Sequence, residues 1–322
     1  MNTADVTSIK VALLSGGWSD EREISVTSGR ACEKALHEAG FENVDFIEVD
    51  KEDVCNRLES GDYDVAFIAM HGPYGEDGCI QGLLEVLDIP YTFSGVLASA
   101  MATEKDIAKV VYERAGIPAA PGIVVRRDEV DLLDYRVVVN QLGFPLFVKP
   151  ACDGSSFGIT RVTEAVKLRE AIDLALDHDD RCLVEAAVTG TEITVPVIGN
   201  NDPQALPIIE IVTGADFYDL KVKYEPSELH HVCPARLPRA SYEIAQEYAV
   251  LAHRILGCEG ASRSDFIVQE DGTPVILETN TIPGMTPNSL LPDSARRAGI
   301  EFPELCRRFI EMALEAHPKR KA

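Results

Sequence analysis

The sequence has few basic residues for its length. Among 322 residues, Lys and Arg number 30 and Asp and Glu number 53, so the formal net charge is −23. A surface this negative repels nucleic-acid phosphates and anionic lipid headgroups. The charge balance therefore argues against nucleic-acid-binding and membrane-surface proteins, and we expect small molecules as partners.

Long apolar runs and paired cysteines are also missing. No run approaches the roughly 20 apolar residues that a membrane-spanning helix needs, and the opening segment Met1–Lys10 has no signal-peptide core. The eight cysteines are scattered without a CxxC pair, so neither a zinc cage nor a disulfide framework is indicated. The sequence predicts a reduced, cytoplasmic enzyme without membrane insertion.

Two common nucleotide-binding motifs are absent. No GxxxxGK[ST] P-loop occurs, and no GxGxxG follows a predicted strand. The second absence argues against a dinucleotide oxidoreductase. A composition with 46% hydrophobic and 26% charged residues is nevertheless typical of a globular protein, and the length suffices for two or three domains.

Apolar and polar residues alternate differently in the two halves of the chain. Over the first hundred residues, strand-like runs (Ile9–Leu14, Asp45–Val49, Asp64–Met70) alternate with helical patterns, which predicts a parallel sheet covered on both faces. From about Glu104 strands dominate, and a long polar loop, Thr213–Pro234, interrupts them. These later strands are predicted at Leu146–Pro150, Cys182–Ala187, Glu192–Val197, Ala205–Val212, Gly260–Gln269 and Pro274–Asn280.

These patterns predict an α/β fold with an α+β C-terminal half. Helices at Tyr242–Leu256 and Phe302–Glu315 are expected to close the chain. We predict three domains: residues 1–104 with a Rossmann-like parallel sheet, residues 105–190, and residues 191–322 with a loop at 213–234.

The stretch RSDFIVQEDGTPVILETN predicts a hairpin that carries paired acids. If Asp271–Gly272 is a two-residue turn, Asp265 lies opposite Glu278 and Arg263 lies opposite Asn280, all on one face. Adjacent carboxylates repel each other, and a divalent cation such as Mg²⁺ would remove that penalty. A solvated face on which Arg263 neutralises one acid is the equally weighted alternative.

The loop after Lys149, KPACDGSSFG, is a weaker candidate for a phosphate site. A lysine at a strand end, followed by Gly154, Ser155, Ser156 and Gly158, can cover a phosphate with backbone N–H groups and one cation. Most loops of this composition are only turns, so this reading depends on the acidic hairpin lying nearby.

Two further loops follow predicted parallel strands, where ligands bind in such sheets. Glu21 in GGWSDEREIS either pairs with the dipole of the first helix or binds a cationic group such as a substrate amine. His71 in HGPYGEDG is either structural or part of a substrate site. In the loop beyond the hairpin, Gly284 can bring its N–H close to a ligand, and Ser289 lies nearby.

Taken together, these stretches resemble the D-alanine–D-alanine ligase family, whose members have the ATP-grasp fold. The resemblance extends in order from Lys10 to about Leu314. Six motifs carry it: GGWSDEREIS, HGPYGEDGCIQG, LFVKPACDGSSFGI, KVKYEP, SRSDF and LETNTIPGMTPNSLLP. Trp18 is unusual for the family, as is Ala186–Ala187, where a lysine and a large side chain are common.

The resemblance implies a set of residues that contact ATP and its metal. Two Mg²⁺ ions, for which Mn²⁺ is a possible substitute, would be held by Asp265, Glu278 and Asn280. ATP would be bound by Lys105 and Lys149 at the α/β-phosphates, Lys223 at the γ-phosphate, Ser156 in the serine loop, Glu185 through Val188 at the adenine, Glu192 at the ribose, and Ile267 and Leu277 on the faces of the base.

The resemblance also implies roles around the two amino-acid substrates. Glu21 would bind the ammonium group of the first D-alanine close to His71, and Ser155 and Tyr224 would hydrogen-bond with Glu21. Four further groups would act on the reacting atoms and the second substrate: Arg263 and the Gly284 N–H at the oxyanion, and Ser289 and the Leu290 N–H at the carboxylate. Glu21, Ser155, Arg263 and Gly284 would thus form the catalytic set.

The resemblance implies ATP-dependent ligation of two D-alanines through a D-alanyl phosphate, in peptidoglycan precursor synthesis. Ligases that take D-serine or D-lactate as the second substrate resemble this chain too, so they remain the alternative. Tyr224 argues against D-lactate, and Met285 and Leu290 stand where variant ligases tend to carry an aromatic residue and an arginine. A homodimer is expected from the family.

Overall fold

The computed structural model describes residues 6–152, 158–213 and 229–320. Its first sheet has three parallel strands in the order β2-β1-β3, with β1 at Val11–Gly16, β2 at Val44–Val49 and β3 at Val65–Ile68. Every residue of β1 and β3 is buried, as expected for parallel strands covered on both faces. The predicted N-terminal parallel sheet is confirmed.

Five helices follow or flank these strands. One face of the first, α1, is buried through Ser25, Ser28, Cys32 and Leu36, at the three- and four-residue spacing of an amphipathic helix. The helices are α1 at Arg22–Glu38, α2 at Val54–Ser60, α3 at Cys79–Val86, α4 at Val96–Thr103 and α5 at Lys105–Arg114.

The second sheet is antiparallel and has four strands in the order β4-β7-β5-β6. Its elements are β4 at Gly122–Arg126, α6 at Tyr135–Leu142, β5 at Leu146–Pro150, β6 at Thr160–Val162, α7 at Leu168–Leu176 and β7 at Arg181–Ala186. α7 buries Leu168, Ala171, Ile172 and Ala175 in the core of this sheet.

The third sheet follows the order β11-β10-β8-β12-β13, with the short β9 paired to β8. Its strands are β8 at Thr191–Ile198, β9 at Gln204–Ala205, β10 at Ile209–Thr213, β11 at Leu229–Val232, β12 at Ala261–Val268 and β13 at Pro274–Asn280. Helices α8 at Arg239–Leu256, α9 at Leu290–Arg297 and α10 at Phe302–Arg320 complete the described chain. The mixed architecture confirms the predicted α/β class with an α+β C-terminal half.

The single strand predicted over Ala205–Val212 is wrong, because the chain leaves the sheet between β9 and β10. Pro207 has no N–H to give to a ladder, and the N–H of Ile208 donates to the Tyr242 hydroxyl at 2.8 Å. The segment predicted as one loop at 213–234 also contains β11, which pairs with β10.

Helical packing links segments that are distant in sequence. α9 and α10 bury Leu291, Phe309 and Ile310 in the core around the first sheet. α5 buries Ala108 and Tyr112 in a different core, shared with α8 and the third sheet. The domain limits at 104 and 190 stay a prediction, since the cores combine elements from both sides of them.

The hairpin between β12 and β13 differs from the predicted one in two compensating ways. The predicted two-residue turn is wrong: Gln269 N donates to Thr273 O at 3.0 Å, so three residues, 270–272, form the loop, and Gly272 adopts a φ of 89°. A β-bulge at Leu277 then restores the register. Asp265 therefore still lies opposite Glu278, and Arg263 opposite Asn280, as predicted.

Within the described residues, no helix combines the length and the apolar character that crossing a bilayer requires.

Candidate active site

A cavity of about 600 Å³ lies between the second and third sheets. Strands β5, β7, β8, β12 and β13 and the connection at residues 187–190 supply its walls. All the described residues that the resemblance assigns to ATP line it, namely Lys105, Lys149, Glu185, Val188, Glu192, Ile267 and Leu277. Residues spread over about 170 positions of the sequence therefore meet around one space large enough for a nucleotide.

Paired acids form one end of this cavity. Asp265 and Glu278 both line it and are half-buried. Arg263 makes a bidentate pair with Asp265, with Nε at 3.1 Å from Oδ1 and Nη2 at 3.0 Å from Oδ2, and Thr194 Oγ1 donates to the same carboxylate. The face is thus a cavity wall, although Arg263 neutralises one acid as the alternative interpretation expected.

Lys105 lies at the same end of the cavity. Its Nζ is 3.5 Å from Glu278 Oε2, and its side chain is 8% exposed. Each of the two carboxylates therefore has a cation beside it, which removes the repulsion that the bare pair would suffer. Lys105 and Arg263 thus supply positive charge at the end of the cavity where nucleotide phosphates would lie.

The oxygen donors at this end fit Mg²⁺ in number and type. Asp265 and Glu278 supply carboxylates, and Asn280, whose Oδ1 accepts from Ile282 N at 2.9 Å, supplies an amide oxygen with a second lone pair. Among the described residues, no three His, Cys, Asp or Glu side chains form a metal site by themselves. Phosphate oxygens and water would complete the coordination, as is usual for Mg²⁺.

Glu185 is held between two lysines on the wall formed by β5 and β7. Lys149 Nζ lies 2.5 Å from Glu185 Oε2, and Lys109 Nζ contacts Oε1. Burial alone would raise the pKa of Glu185, but the two ammonium groups outweigh it and hold the pKa below its ordinary value. The carboxylate is therefore ionised and acts as a hydrogen-bond acceptor inside the cavity.

An apolar slot adjoins these charged groups. Ile267 and Leu277 approach it from the third sheet, and Ala186–Val188 approach it from the end of β7. Small side chains at Ala186 and Ala187 leave space where larger ones would narrow the slot. An aromatic base fits such a slot, with the polar groups fixing its orientation.

The loops that carry Glu21 and His71 meet at the carboxyl ends of β1 and β3. Glu21 precedes α1, but its side chain makes no capping hydrogen bond; it lies instead beside Gly72, where an added Cβ would be 3.4 Å from Oε2. Ser19 Oγ donates to the His71 carbonyl at 2.9 Å. The two predicted loops are therefore adjacent, and both interpretations of Glu21, as a partner of the helix dipole and as a ligand of a cationic group, stay predictions.

The His71 imidazole is held on both sides by protein groups. Its Nε2 lies 3.0 Å from Ser28 Oγ, its Nδ1 lies 3.2 Å from Glu76 Oε1, and the residue is 4% exposed. This packing fixes the orientation of the ring. A role in substrate binding stays a prediction.

The loop after β13 brings Gly284 and Ser289 together. A Cβ on Gly284 would lie 3.2 Å from Ser289 Oγ, so glycine allows this close approach. Ser289 precedes α9, and its Oγ lies 2.8 Å from Thr286 Oγ1 and accepts from Thr286 N at 3.1 Å. Leu290 begins α9 and is half-buried. A helix N-terminus beside a glycine suits a carboxylate.

Four predicted site residues lie outside the described part of the chain. They are Ser155 and Ser156 in segment 153–157, and Lys223 and Tyr224 in segment 214–228.

Comparisons with known proteins identify the family of this chain. The family model described as "D-ala D-ala ligase C-terminus" matches residues 111–311, and "D-ala D-ala ligase N-terminus" matches residues 48–94. A D-alanine--D-alanine ligase of Desulforamulus reducens is 46% identical over 95% of this chain and 99% of that protein. The chain belongs to the D-alanine–D-alanine ligase family.

Solved structures of the family share the fold. The D-alanine--D-alanine ligase of Bacillus anthracis complexed with ATP superposes with a TM-score of 0.85 at 30% identity, covering 97% of this chain and all of that one. The VanG D-Ala:D-Ser ligase of Enterococcus faecalis gives 0.81 at 28% identity, with 95% and 99% covered. The ATP-grasp fold expected from the resemblance is confirmed.

Sequence reasoning missed Lys109, which pairs with Glu185 in this ligase. The available signal was its spacing, since Lys109 lies one helical turn after Lys105 on α5. No local pattern reveals that the partner is Glu185, which lies on β7 of the second sheet, 76 residues away.

An aromatic pair beside the Glu21 loop was also missed. The rings of Trp18 and Tyr74 are 4.8 Å apart, and Lys51 Nζ lies 4.9 Å from the Trp18 centroid. Tyr74 has a φ of 68°, a conformation that costs a non-glycine residue roughly 1–3 kcal/mol. The stack therefore joins the loops after β1, β2 and β3, and it stabilises Tyr74 in its strained backbone conformation.

Proposed function

We propose that this protein joins two molecules of D-alanine into D-alanyl-D-alanine at the expense of ATP, through a D-alanyl phosphate. The dipeptide is a peptidoglycan precursor. One observation carries the proposal: a single cavity is lined by Lys105, Lys149 and the Asp265–Glu278 pair in a chain that matches named D-alanine--D-alanine ligases over nearly its full length.

The first step transfers a phosphoryl group. The carboxylate of the first D-alanine attacks the γ-phosphorus, the bond from that phosphorus to the ADP oxygen breaks, and D-alanyl phosphate and ADP result. Lys105 and Lys149 would offset the negative charge of the phosphates, and Glu21 would bind the substrate's ammonium group. Catalysis here consists of positioning and electrostatic stabilisation.

Asp265, Glu278 and Asn280 would hold magnesium. When bound, Mg²⁺ would supply positive charge that offsets the negative charge developing on the phosphate oxygens. Lys105 lies beside Glu278 and Arg263 beside Asp265, so each of these two acids has a cation next to it.

The second step forms the peptide bond. The neutral amine of the second D-alanine attacks the acyl carbon, and phosphate leaves from the tetrahedral intermediate. Asp265 fixes the Arg263 guanidinium through two hydrogen bonds, so that this cation and the Gly284 N–H are available to the intermediate's oxygen. Ser289 and the Leu290 N–H would receive the acceptor's carboxylate.

The choice of acceptor rests on sequence relatives more than on the fold. A D-Ala:D-Ser ligase superposes almost as well as the D-alanine--D-alanine ligases, with TM-scores of 0.81 and 0.84. The curated relatives at 40–47% identity, however, are named D-alanine--D-alanine ligases. Leu290 offers no polar group to a hydroxymethyl side chain, although a pocket of this kind rejects an added hydroxyl only about a hundredfold.

Product analysis tests the activity and the acceptor together. The enzyme is supplied with ATP, Mg²⁺ and equal amounts of D-alanine and D-serine, or of D-alanine and D-lactate, at neutral pH. We expect ADP, phosphate and mainly D-alanyl-D-alanine. A predominance of D-alanyl-D-serine or D-alanyl-D-lactate would overturn the acceptor assignment, and a lack of ADP release with D-alanine would overturn the activity.

We further propose a cytoplasmic homodimer, an assignment that rests on the family alone. Cytoplasmic location supplies the ATP that the reaction consumes. Sedimentation analysis at micromolar concentration tests the dimer, and a mass near 35.1 kDa would contradict it.

A further inference from the structure

Lys109 approaches the candidate nucleotide site from behind its wall. It does not line the cavity, but its Nζ contacts Glu185 Oε1, and the two side chains are only 12% and 10% exposed. On the cavity side of the same carboxylate, Lys149 Nζ lies 2.5 Å from Oε2. One buried acid thus has one cation facing the cavity and a second cation behind it.

The local backbone leaves space for this arrangement. Gly122 on β4 pairs with Glu185 on β7. A Cβ at Gly122 would lie 2.9 Å from Glu185 Cγ and 3.2 Å from Lys109 Nζ. Any larger residue would displace the carboxylate or the ammonium group. The contact between Lys109 and Glu185 therefore depends on a glycine at this position.

Lys149 and Lys109 differ in whether they can reach a bound nucleotide. Lys149 lines the cavity and can turn toward a phosphate oxygen, whereas Lys109 is behind the wall and cannot reach one without leaving Glu185. If Lys149 turned away in a protein without Lys109, a nearly buried carboxylate would lose its compensating charge. Separation of a buried ion pair in this way is strongly unfavourable.

We propose that Lys109 is a positioning residue for nucleotide binding. It keeps Glu185 compensated and in place while Lys149 exchanges that carboxylate for a phosphate oxygen. Lys109 acts through Glu185 and touches no substrate itself. The proposal rests on the proposed use of ATP and adds to it a residue whose charge determines how easily the cavity accepts the phosphates.

Binding of ADP in the presence of Mg²⁺, measured by calorimetry without D-alanine, tests this role. Lys109→Met keeps the length of the side chain and removes its charge. We expect it to bind ADP at least tenfold more weakly than the unmodified protein, since Glu185 then retains Lys149. In a Glu185→Gln background, which has no charge to compensate, Lys109→Met should cause less than a twofold further loss.

The comparison between the two backgrounds separates this role from simple packing. Lys34→Met, on an exposed lysine that pairs with Glu38 at 3.7 Å, is the matched control and should leave ADP binding unchanged. Equal losses from Lys109→Met in both backgrounds, or a loss below twofold in the unmodified background, would overturn the proposal. Should Lys109→Met fail to fold, the two Glu185→Gln proteins decide: equal affinities support the role, and a further tenfold loss overturns it.

This design also distinguishes failure of the role from failure of the proposed activity. ADP binding needs neither D-alanine nor turnover, so the lysine is tested even if no dipeptide forms. An unmodified protein that binds ADP but makes no dipeptide contradicts the activity alone. An unmodified protein that binds no ADP overturns both.

Discussion

Asp265 on β12 lies directly opposite Glu278 on β13, and a β-bulge at Leu277 keeps them in this register. The hairpin loop contains one residue more than a two-residue turn, and the bulge compensates for it by giving β13 an extra residue. Both acids therefore face the same cavity. The two carboxylates suit Mg²⁺, and the cations beside them, Lys105 and Arg263, suit phosphate.

Glu278→Gln tests the metal role of this pair. The substitution conserves volume and removes one negative charge, so we expect ADP release to fall at least a hundredfold while the thermal unfolding midpoint stays within a few degrees. Glu270→Gln, on an exposed residue of the same hairpin, is the control and should be fully active. Near-normal turnover of Glu278→Gln at low Mg²⁺ would contradict the metal assignment.

Trp18→Ala tests the aromatic stack. Aromatic pairs contribute about 0.5–1.5 kcal/mol beyond their area, and this one joins the loops that carry Glu21 and His71. We therefore expect the KM for the first D-alanine to rise roughly two- to tenfold, with the KM for ATP unchanged, in initial-rate assays. Trp18→Phe retains an aromatic ring and should largely restore the KM. Equal effects on both substrates would show a general loss of structure instead.

His253 should make stability fall as the pH is lowered. Burial lowers its pKa to about 4, while the unfolded chain has the ordinary value near 6.5. Between these two values, His253 is protonated in the unfolded state and neutral in the folded state. The free energy of unfolding therefore falls as the pH is lowered from about 6.5 to 4. The full loss is roughly 3 kcal/mol at 1.36 kcal/mol per pH unit.

Urea unfolding at pH 7 and pH 5 measures this loss. His253→Gln should show a smaller drop in the free energy of unfolding between the two pH values than the unmodified protein. His37→Gln, on an exposed histidine of α1, should retain the full drop. Equal pH dependence in the His253→Gln protein and the unmodified protein would exclude His253 as its source.

Gly272→Ala tests the three-residue hairpin loop. Gly272 has a φ of 89°, and an added Cβ would lie 2.8 Å from Ser241 Oγ. We expect a loss of about 1–3 kcal/mol in the free energy of unfolding. Gly82→Ala in α3, where a Cβ meets only Val96 Cγ2 at 3.9 Å, should instead stabilise the protein by about 0.5–1 kcal/mol. The opposite order of the two effects would contradict this loop geometry.

Local sequence patterns predicted the elements that have strong periodicity. The strands Leu146–Pro150 and Pro274–Asn280 have the bounds expected from their apolar and alternating residues. The Asp265–Glu278 pairing was predicted as well, but from a two-residue turn that is wrong, and the β-bulge that restores the register was not predicted. The break at Pro207 was not anticipated, although the missing N–H of proline was visible in the sequence.

Contacts between distant segments could not be predicted from local sequence patterns. Ser28 and His71 are 43 residues apart, and α10 packs on the first sheet although it ends the described chain. Nothing in the sequence near one partner identifies the other, because side-chain pairing across sheets depends on how whole elements are oriented.

The sequence by itself determined the class of the fold, the family and most of the residues around the cavity, because apolar periodicity and short motifs are local properties of the chain. Tertiary structure alone decided which distant charges meet: Glu185 with Lys109 and Lys149, and Glu278 with Lys105. The physical reason is that the Coulomb energy of two charges depends on their separation and burial. For these pairs, only the packing of sheets and helices sets the separation and the burial of the charges.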